Sequence, residues 1–183
     1  MIDGQSFHRF AETTKHLGTK KTAENRKNLE VLLKDIAFFK NLTNEQKEMV
    51  LERMFRVPVK AGDIVVHQGA HGDYFYVIED GSFQIFVSRP GKFPKLVDTL
   101  SKGSAMGHLS LLYNIPRAAS IKCEKDGVLW ALGRDSFLEA IGPGSDHLKT
   151  LFEKNADIAI GKEKFMSLSR FLSLTGLSRV NGS

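Results

Sequence analysis

The residues with the most chemical potential lie together, in Gly103-Ser104-Ala105-Met106-Gly107-His108-Leu109-Ser110-Leu111-Leu112-Tyr113-Asn114-Ile115-Pro116-Arg117-Ala118-Ala119-Ser120. Physically this is a glycine-bounded turn, a helical turn too short to stand alone, and a proline that ends it and re-aims the chain into a strand. A short helix preceded by Gly107 presents amide N–H groups with no intrahelical partner, and such groups attract an anion. Arg117, ten residues beyond Gly107, can return across the same small space with a planar fork that matches two phosphate oxygens. Ala118 and Ala119 keep bulk away from that spot, where a phosphate needs close approach to the backbone. The chemistry read here is anion capture, although a single arginine after a turn is ordinarily solvated, so the surrounding pattern has to decide.

Other chemistries find less support. His8, His16, His67, His71 and His147 show no close metal spacing. His67 and His71 straddle Gln68-Gly69 in a strand-to-loop passage, so they do not share a helix face, and no metal is expected. No Gly-x-Ser-x-Gly elbow and no Walker loop occurs. The single cysteine, Cys123, excludes an intramolecular disulfide and every multi-cysteine zinc site, and makes a reducing, cytoplasmic setting the expectation. No catalytic site and no cofactor is read, and the chain is not expected to be an enzyme.

Elements must position the Gly103–Ser120 segment. Residues 1–22 mix glycines, threonines and scattered charges without period, and read as a flexible lead-in. Thr22 can open a helix, and Leu29, Leu32, Leu33 and Ile36 recur at the spacing of one helical face. Thr43-Asn44-Glu45-Gln46 is a capping box that starts a second helix. From Val57 to Leu132 the grammar is that of short strands: Val57 to Val59, Asp63 to Gln68, Tyr74 to Ile78, Ser82 to Val87, Leu96 to Leu100, Ala119 to Cys123 and Val128 to Leu132. Turn signals separate them, among them Asp80-Gly81 and Lys125-Asp126-Gly127. Phe75/Val77 and Phe83/Ile85/Val87 alternate with more polar neighbours, which predicts one buried face per strand. Helical period returns in Asp135 to Ile141 and, after Gly142-Pro143-Gly144, from Ser145 through Leu148, Leu151 and Phe152 to the Phe165–Leu172 stretch. Phe39-Lys40-Asn41-Leu42-Thr43 is echoed faintly by Phe171-Leu172-Ser173-Leu174-Thr175, as though a second copy of the domain were beginning. The order is helices, an antiparallel β roll, then helices.

The 183 residues suffice for one such domain with its own core. A net charge of +5 invites a polyanion partner, yet residues 57–142 hold 9 Lys/Arg against 9 Asp/Glu, and the surplus sits at the two ends. A nucleic-acid module concentrates positive charge on its folded face with a recognition motif. None is visible here, so no nucleic-acid partner is expected. No apolar run approaches the ~20 residues that cross a bilayer, and the N-terminus lacks the apolar stretch of a signal peptide, so no membrane association is expected either.

Residues 106–120 closely resemble the phosphate-binding cassette of cyclic nucleotide-binding domains, whose usual form is Phe-Gly-Glu-Leu-Ala-Leu-Leu/Met-Tyr-Asn-x-Pro-Arg-Ala-Ala-Thr. The resemblance extends to Ala61-Gly62-Asp63-Ile64-Val65, Gln68-Gly69, Gly72-Asp73-Tyr74-Phe75-Tyr76-Val77-Ile78, Gly81, Leu129-Trp130 and Arg134-Asp135-Ser136-Phe137. It covers about residues 25–155 and is strongest to regulatory subunits of cyclic-nucleotide-dependent protein kinases. It implies an α+β fold: an eight-stranded antiparallel β roll of jelly-roll type, with an N-terminal helical bundle, a short cassette helix and C-terminal helices. The expected organisation is a lead-in over 1–22, the binding domain with its N-terminal helices over 23–142, and C-terminal lid or linker helices over 143–183, leading on to a further domain. By the same resemblance Arg117 grips the exocyclic phosphate, with Gly107, Leu109, Ala118 and Ala119 offering backbone contacts. Asp73 orients that arginine, and Ile85, Met106 and Ile121 surround the sugar and base. Ala118, where cGMP-selective relatives commonly carry threonine, favours cAMP over cGMP. Replacing Arg117 is then expected to abolish the response to ligand and to leave the unliganded fold nearly unchanged.

Among the departures from the pattern are Met106 for phenylalanine and, chiefly, His108 for the glutamate that accepts a hydrogen bond from the ribose 2′-hydroxyl. Such a charge-assisted bond is worth about 1.5–3 kcal/mol, or roughly tenfold to a hundredfold in affinity. Neutral histidine still has one accepting nitrogen, protonated histidine none. The side chain could face outward or fill the sugar site. Two functions follow as expectations. The first is a sensor that binds cAMP, or cGMP less well, and couples occupancy to movement of C-terminal helices, with Phe152, Phe165 or Phe171 as lid and a protein kinase catalytic subunit or kinase domain as partner. The second is a degenerate domain that docks or autoinhibits, or that binds another purine.

Overall fold

The computed structural model describes residues 7, 11–13, 15 and 21–141. The expected 143–183 helices, the lid candidates Phe152, Phe165 and Phe171, and the second half of the Phe39 echo lie outside the described residues.

Among the described residues, three helices of defined extent come before the strands. Helix α1 (Ala23–Leu33) is opened by Thr22, whose side chain accepts from the amide of Asn25, and it buries Leu29 and Leu33. After the one-turn α2 (Ala37–Lys40), α3 (Asn44–Arg53) begins with the predicted capping box: the Thr43 side chain accepts from the Gln46 amide while the Gln46 side chain accepts from the Thr43 amide. Six strands follow, β1 (Phe55–Val59), β2 (Ile64–Val66), β3 (Tyr74–Val87), β4 (Lys95–Leu100), β5 (Ala105–Met106) and β6 (Ser120–Gly133). Helix α4 (His108–Leu112) lies between β5 and β6, and α5 (Arg134–Ile141) follows β6 directly. All strand pairings are antiparallel, in the order β1-β6-β3-β4, with β2 also on β6 and β5 on β3. Pro58 is tolerated because β1 is an edge strand.

The turn signals at Asp80-Gly81 and Lys125-Asp126-Gly127 do not end strands. β3 and β6 run through them as 14-residue strands whose mutual register shifts between Ile78 and Phe83. Gly81 has φ +96°, and a Cβ on Gly127 would come within 2.2 Å of the Asp80 carbonyl oxygen. These glycines therefore make an irregularity where two backbones cross closely, a role that looks like a turn when one strand is read alone.

The expected alternation also holds for only half of β3. Phe83, Ile85 and Val87 are buried between half-exposed neighbours, but Tyr74 through Ile78 are buried without a break. The physical reason is a layer on each side. Phe75 and Val77 pack with Leu29, Met54, Trp130 and Phe137 in the core shared with the helices. Tyr74, Tyr76 and Ile78 join Val57, Phe83, Met106 and Leu129 in the core inside the roll. Residues 7, 11–13 and 15 of the lead-in are helical, and Phe7 and Ala11 are fully buried in this second core. The Phe7 ring sits 6.2 Å from that of Tyr76.

Candidate functional site

Gly107, at φ +93°, turns the chain from β5 into the five-residue α4. Asn114, the one non-glycine residue with positive φ among those described, at +49°, turns it out again. From there Pro116 leads to Arg117, which is only 7% exposed. Its Nη1 donates to the Gly107 carbonyl at 2.9 Å and to Ser110 Oγ at 2.8 Å, and its Nη2 donates to the Tyr74 carbonyl at 2.6 Å. Burial pulls the Arg117 pKa below its ordinary value, while Tyr76 and the Asp73 carboxylate favour the charged form. Asp73 thus acts on Arg117 through its charge. Two glycines make room for the guanidinium: a Cβ on Gly107 would lie 2.5 Å from Nη1, and one on Gly72 would lie 3.3 Å from Cζ.

Backbone bonds stitch the cassette to the Gly69–Asp73 loop. The Gly69 amide donates to the Arg117 carbonyl at 2.6 Å, and the Arg117 amide donates to Ala70 at 2.8 Å. Arg134, which opens α5, reaches the Gly72 carbonyl at 3.2 Å and Asn114 Oδ1 at 2.8 Å, while its amide donates to the Asp73 carbonyl at 2.8 Å. The loop, the cassette exit and the first residue of α5 are one hydrogen-bonded unit.

Ile85, Met106 and Ile121 come together in the roll core, with Ala119 packed against it. Ala118 is buried, and the side chain of Leu109 lies outside the described residues. His108 does not face outward: it is 4% exposed. Burial, helped by the Arg117 charge, pushes its pKa down to about 3. It is therefore neutral at physiological pH. Because the unfolded state takes up this proton near pH 6.5 and the folded state does not until about pH 3, stability is unaffected above pH 6.5 and falls as pH drops below it. The loss is up to about 1.4 kcal/mol per pH unit. Urea unfolding between pH 7 and pH 4.5 is expected to show a steeper loss for the wild type than for His108→Gln; parallel profiles would refute the assignment.

Sequence reasoning missed three participants: Ser110, whose buried hydroxyl holds Arg117; Arg134, which ties the cassette to α5; and Phe7, which covers Tyr76. For Ser110 a signal existed, since the cassette pattern has alanine there. Phe7 had none, because a lone aromatic in an aperiodic segment has no partner until the roll exists.

Residues 56–142 match the family model "Cyclic nucleotide-binding domain", so this stretch of the chain is a domain of that family. The chain is 34% identical over 161 residues to the cAMP-dependent protein kinase type II regulatory subunit of Drosophila melanogaster, covering 88% of this chain and 39% of that protein. Among solved structures it resembles a cAMP-bound PfPKA-R, with a TM-score of 0.69 and 27% identity, covering 76% of this chain and 49% of that one. It also resembles the regulatory subunit of a cAMP-independent protein kinase A from Trypanosoma brucei, with a TM-score of 0.61 and 26% identity, covering 76% and 52%. The chain thus spans about two fifths of the Drosophila relative's length. These relatives are described as regulatory subunits, not as catalytic ones. Among the described residues no helix is long and apolar enough to cross a membrane, and no cluster of His, Cys, Asp or Glu could hold a metal ion.

Proposed function

We propose that the chain is a cyclic nucleotide sensor, responding to cAMP in preference to cGMP, within a protein that controls a protein kinase in the cytoplasm. The observation that carries this reading is Arg117, a buried guanidinium lodged between two glycines in the cassette. It keeps N–H donors beyond the three it gives to the protein, and an anionic phosphate would use them. Gly107, Ala118 and Ala119 would admit that phosphate to the backbone, Ile85, Met106 and Ile121 would border the sugar and base, and Ala118 favours adenine. An eight-stranded roll would follow if β3 and β6 were each divided at their glycine-bearing irregularity. Residues 23–142 would form the sensor and 143–183 the segment it moves, with the Arg134 links as the coupling.

His108 supports a second reading, a domain that has lost its cAMP response or binds another purine. A buried neutral imidazole replaces the carboxylate of the family pattern, and one relative of similar likeness is described as cAMP-independent. Thermal unfolding with cAMP, cGMP and guanosine separates the two. A ligand at a hundred times its dissociation constant stabilises by about 2.7 kcal/mol. The sensor reading expects that rise with cAMP, and a further affinity gain of about tenfold in His108→Glu. No rise with any cyclic nucleotide at millimolar concentration would overturn it.

A further inference from the structure

Ser110 is the third residue of α4, 4% exposed, at a place where the cassette pattern carries alanine. Its hydroxyl hydrogen is directed at the Gly107 carbonyl, 3.2 Å away, and its oxygen accepts from Arg117 Nη1 at 2.8 Å. With the hydrogen committed to a carbonyl, the hydroxyl faces the guanidinium only as an acceptor. It is also caged, since even a Cβ on neighbouring Gly72 would lie 2.4 Å from Oγ. Both hydrogens of Nη1 are thus taken, one by Gly107 and one by Ser110, and Nη2 gives one to Tyr74. Of the five donors of the guanidinium, an incoming anion finds Nε–H and one hydrogen of Nη2.

We propose that Ser110 is a positioning residue that holds Arg117 against the Gly107 and Tyr74 carbonyls and competes with the ligand phosphate for Nη1. Alanine at this position lacks the acceptor and releases one Nη1 hydrogen toward a ligand oxygen, while the Gly107 and Tyr74 carbonyls keep the guanidinium in the cavity. Ser110 therefore raises the ligand concentration at which the site fills. The hold is a property of the unliganded chain, and the competition rests on the cyclic nucleotide reading above.

The test has two arms on the full chain, wild type and Ser110→Ala. In the unliganded protein, nitrogen-15 NMR of the Arg117 guanidinium is expected to show hindered rotation about its C–N bonds in the wild type and faster rotation in Ser110→Ala. Identical rotation overturns the hold. In calorimetric titration with cAMP, Ser110→Ala is expected to bind about three- to tenfold more tightly, and equal or weaker binding overturns the competition. Should neither protein bind cAMP, the competition falls together with the cyclic nucleotide reading, whereas the NMR arm still decides the hold.

Discussion

Arg117→Ala is expected to erase the thermal stabilisation by cAMP and, in the same protein without ligand, to lower the free energy of unfolding by about 2–4 kcal/mol. The first effect follows from removing the cation that would meet the phosphate. The second follows from geometry that the sequence did not display. Arg117 closes the cassette by donating to Gly107, Ser110 and Tyr74, and its loss leaves three buried acceptors to find new donors or go without. The cost is less than the sum of three charge-assisted bonds, because removing a buried guanidinium also relieves its desolvation, which is the largest influence on its pKa. Urea unfolding with and without cAMP measures both effects. A retained cAMP shift would place the phosphate elsewhere, and an unchanged urea midpoint would mean that the three contacts are replaced by water. The three contacts argue against the expectation from sequence that the unliganded fold is nearly indifferent to Arg117.

Gly107→Ala is expected to be at least as damaging, with a loss of about 3 kcal/mol or more and no measurable cAMP response. Two penalties combine. The backbone holds φ +93°, where any Cβ is strained, and the new methyl would sit 2.5 Å from Arg117 Nη1 and 2.9 Å from the Tyr74 carbonyl oxygen. The carbonyl belongs to a strand paired with both β5 and β6 and cannot withdraw, so the arginine must. Gly103→Ala is the control: its φ is +86°, and a Cβ there meets nothing within 4 Å. That variant bears only the backbone strain, about 1–2 kcal/mol. If the two alanine variants lose equal stability, the close approach of Gly107 to Arg117 is not what the site depends on.

Both expectations rest on one feature, that the arginine proposed to meet the phosphate is also a structural fastener. A single sequence shows such double duty poorly. Gly107, Pro116 and Arg117 marked out the segment, because each residue type imposes a local constraint (left-handed backbone, helix termination, a planar fork), and the family resemblance made it a cassette. The helix starts at Thr22 and Thr43 were legible for the same reason, as their side chains bond amides three residues away. The long strands were not. Gly81 and Gly127 carry the signature of turns, and only the partner backbone, 2.2 Å from a hypothetical Cβ, shows that they serve a crossing.

The sequence by itself therefore determined what is local: the capped helices, the strand-rich middle with its neutral charge, and a cassette whose residues predict anion capture. Tertiary structure alone decided which way those residues face and what they face. It buried His108 beside Arg117 and left it neutral, put Phe7 against Tyr76, and gave Arg117 three acceptors drawn from two separate stretches of chain. The physical reason is that charge state and donor supply depend on solvent exclusion and on partners distant in sequence. Neither exists until the roll has closed around the site.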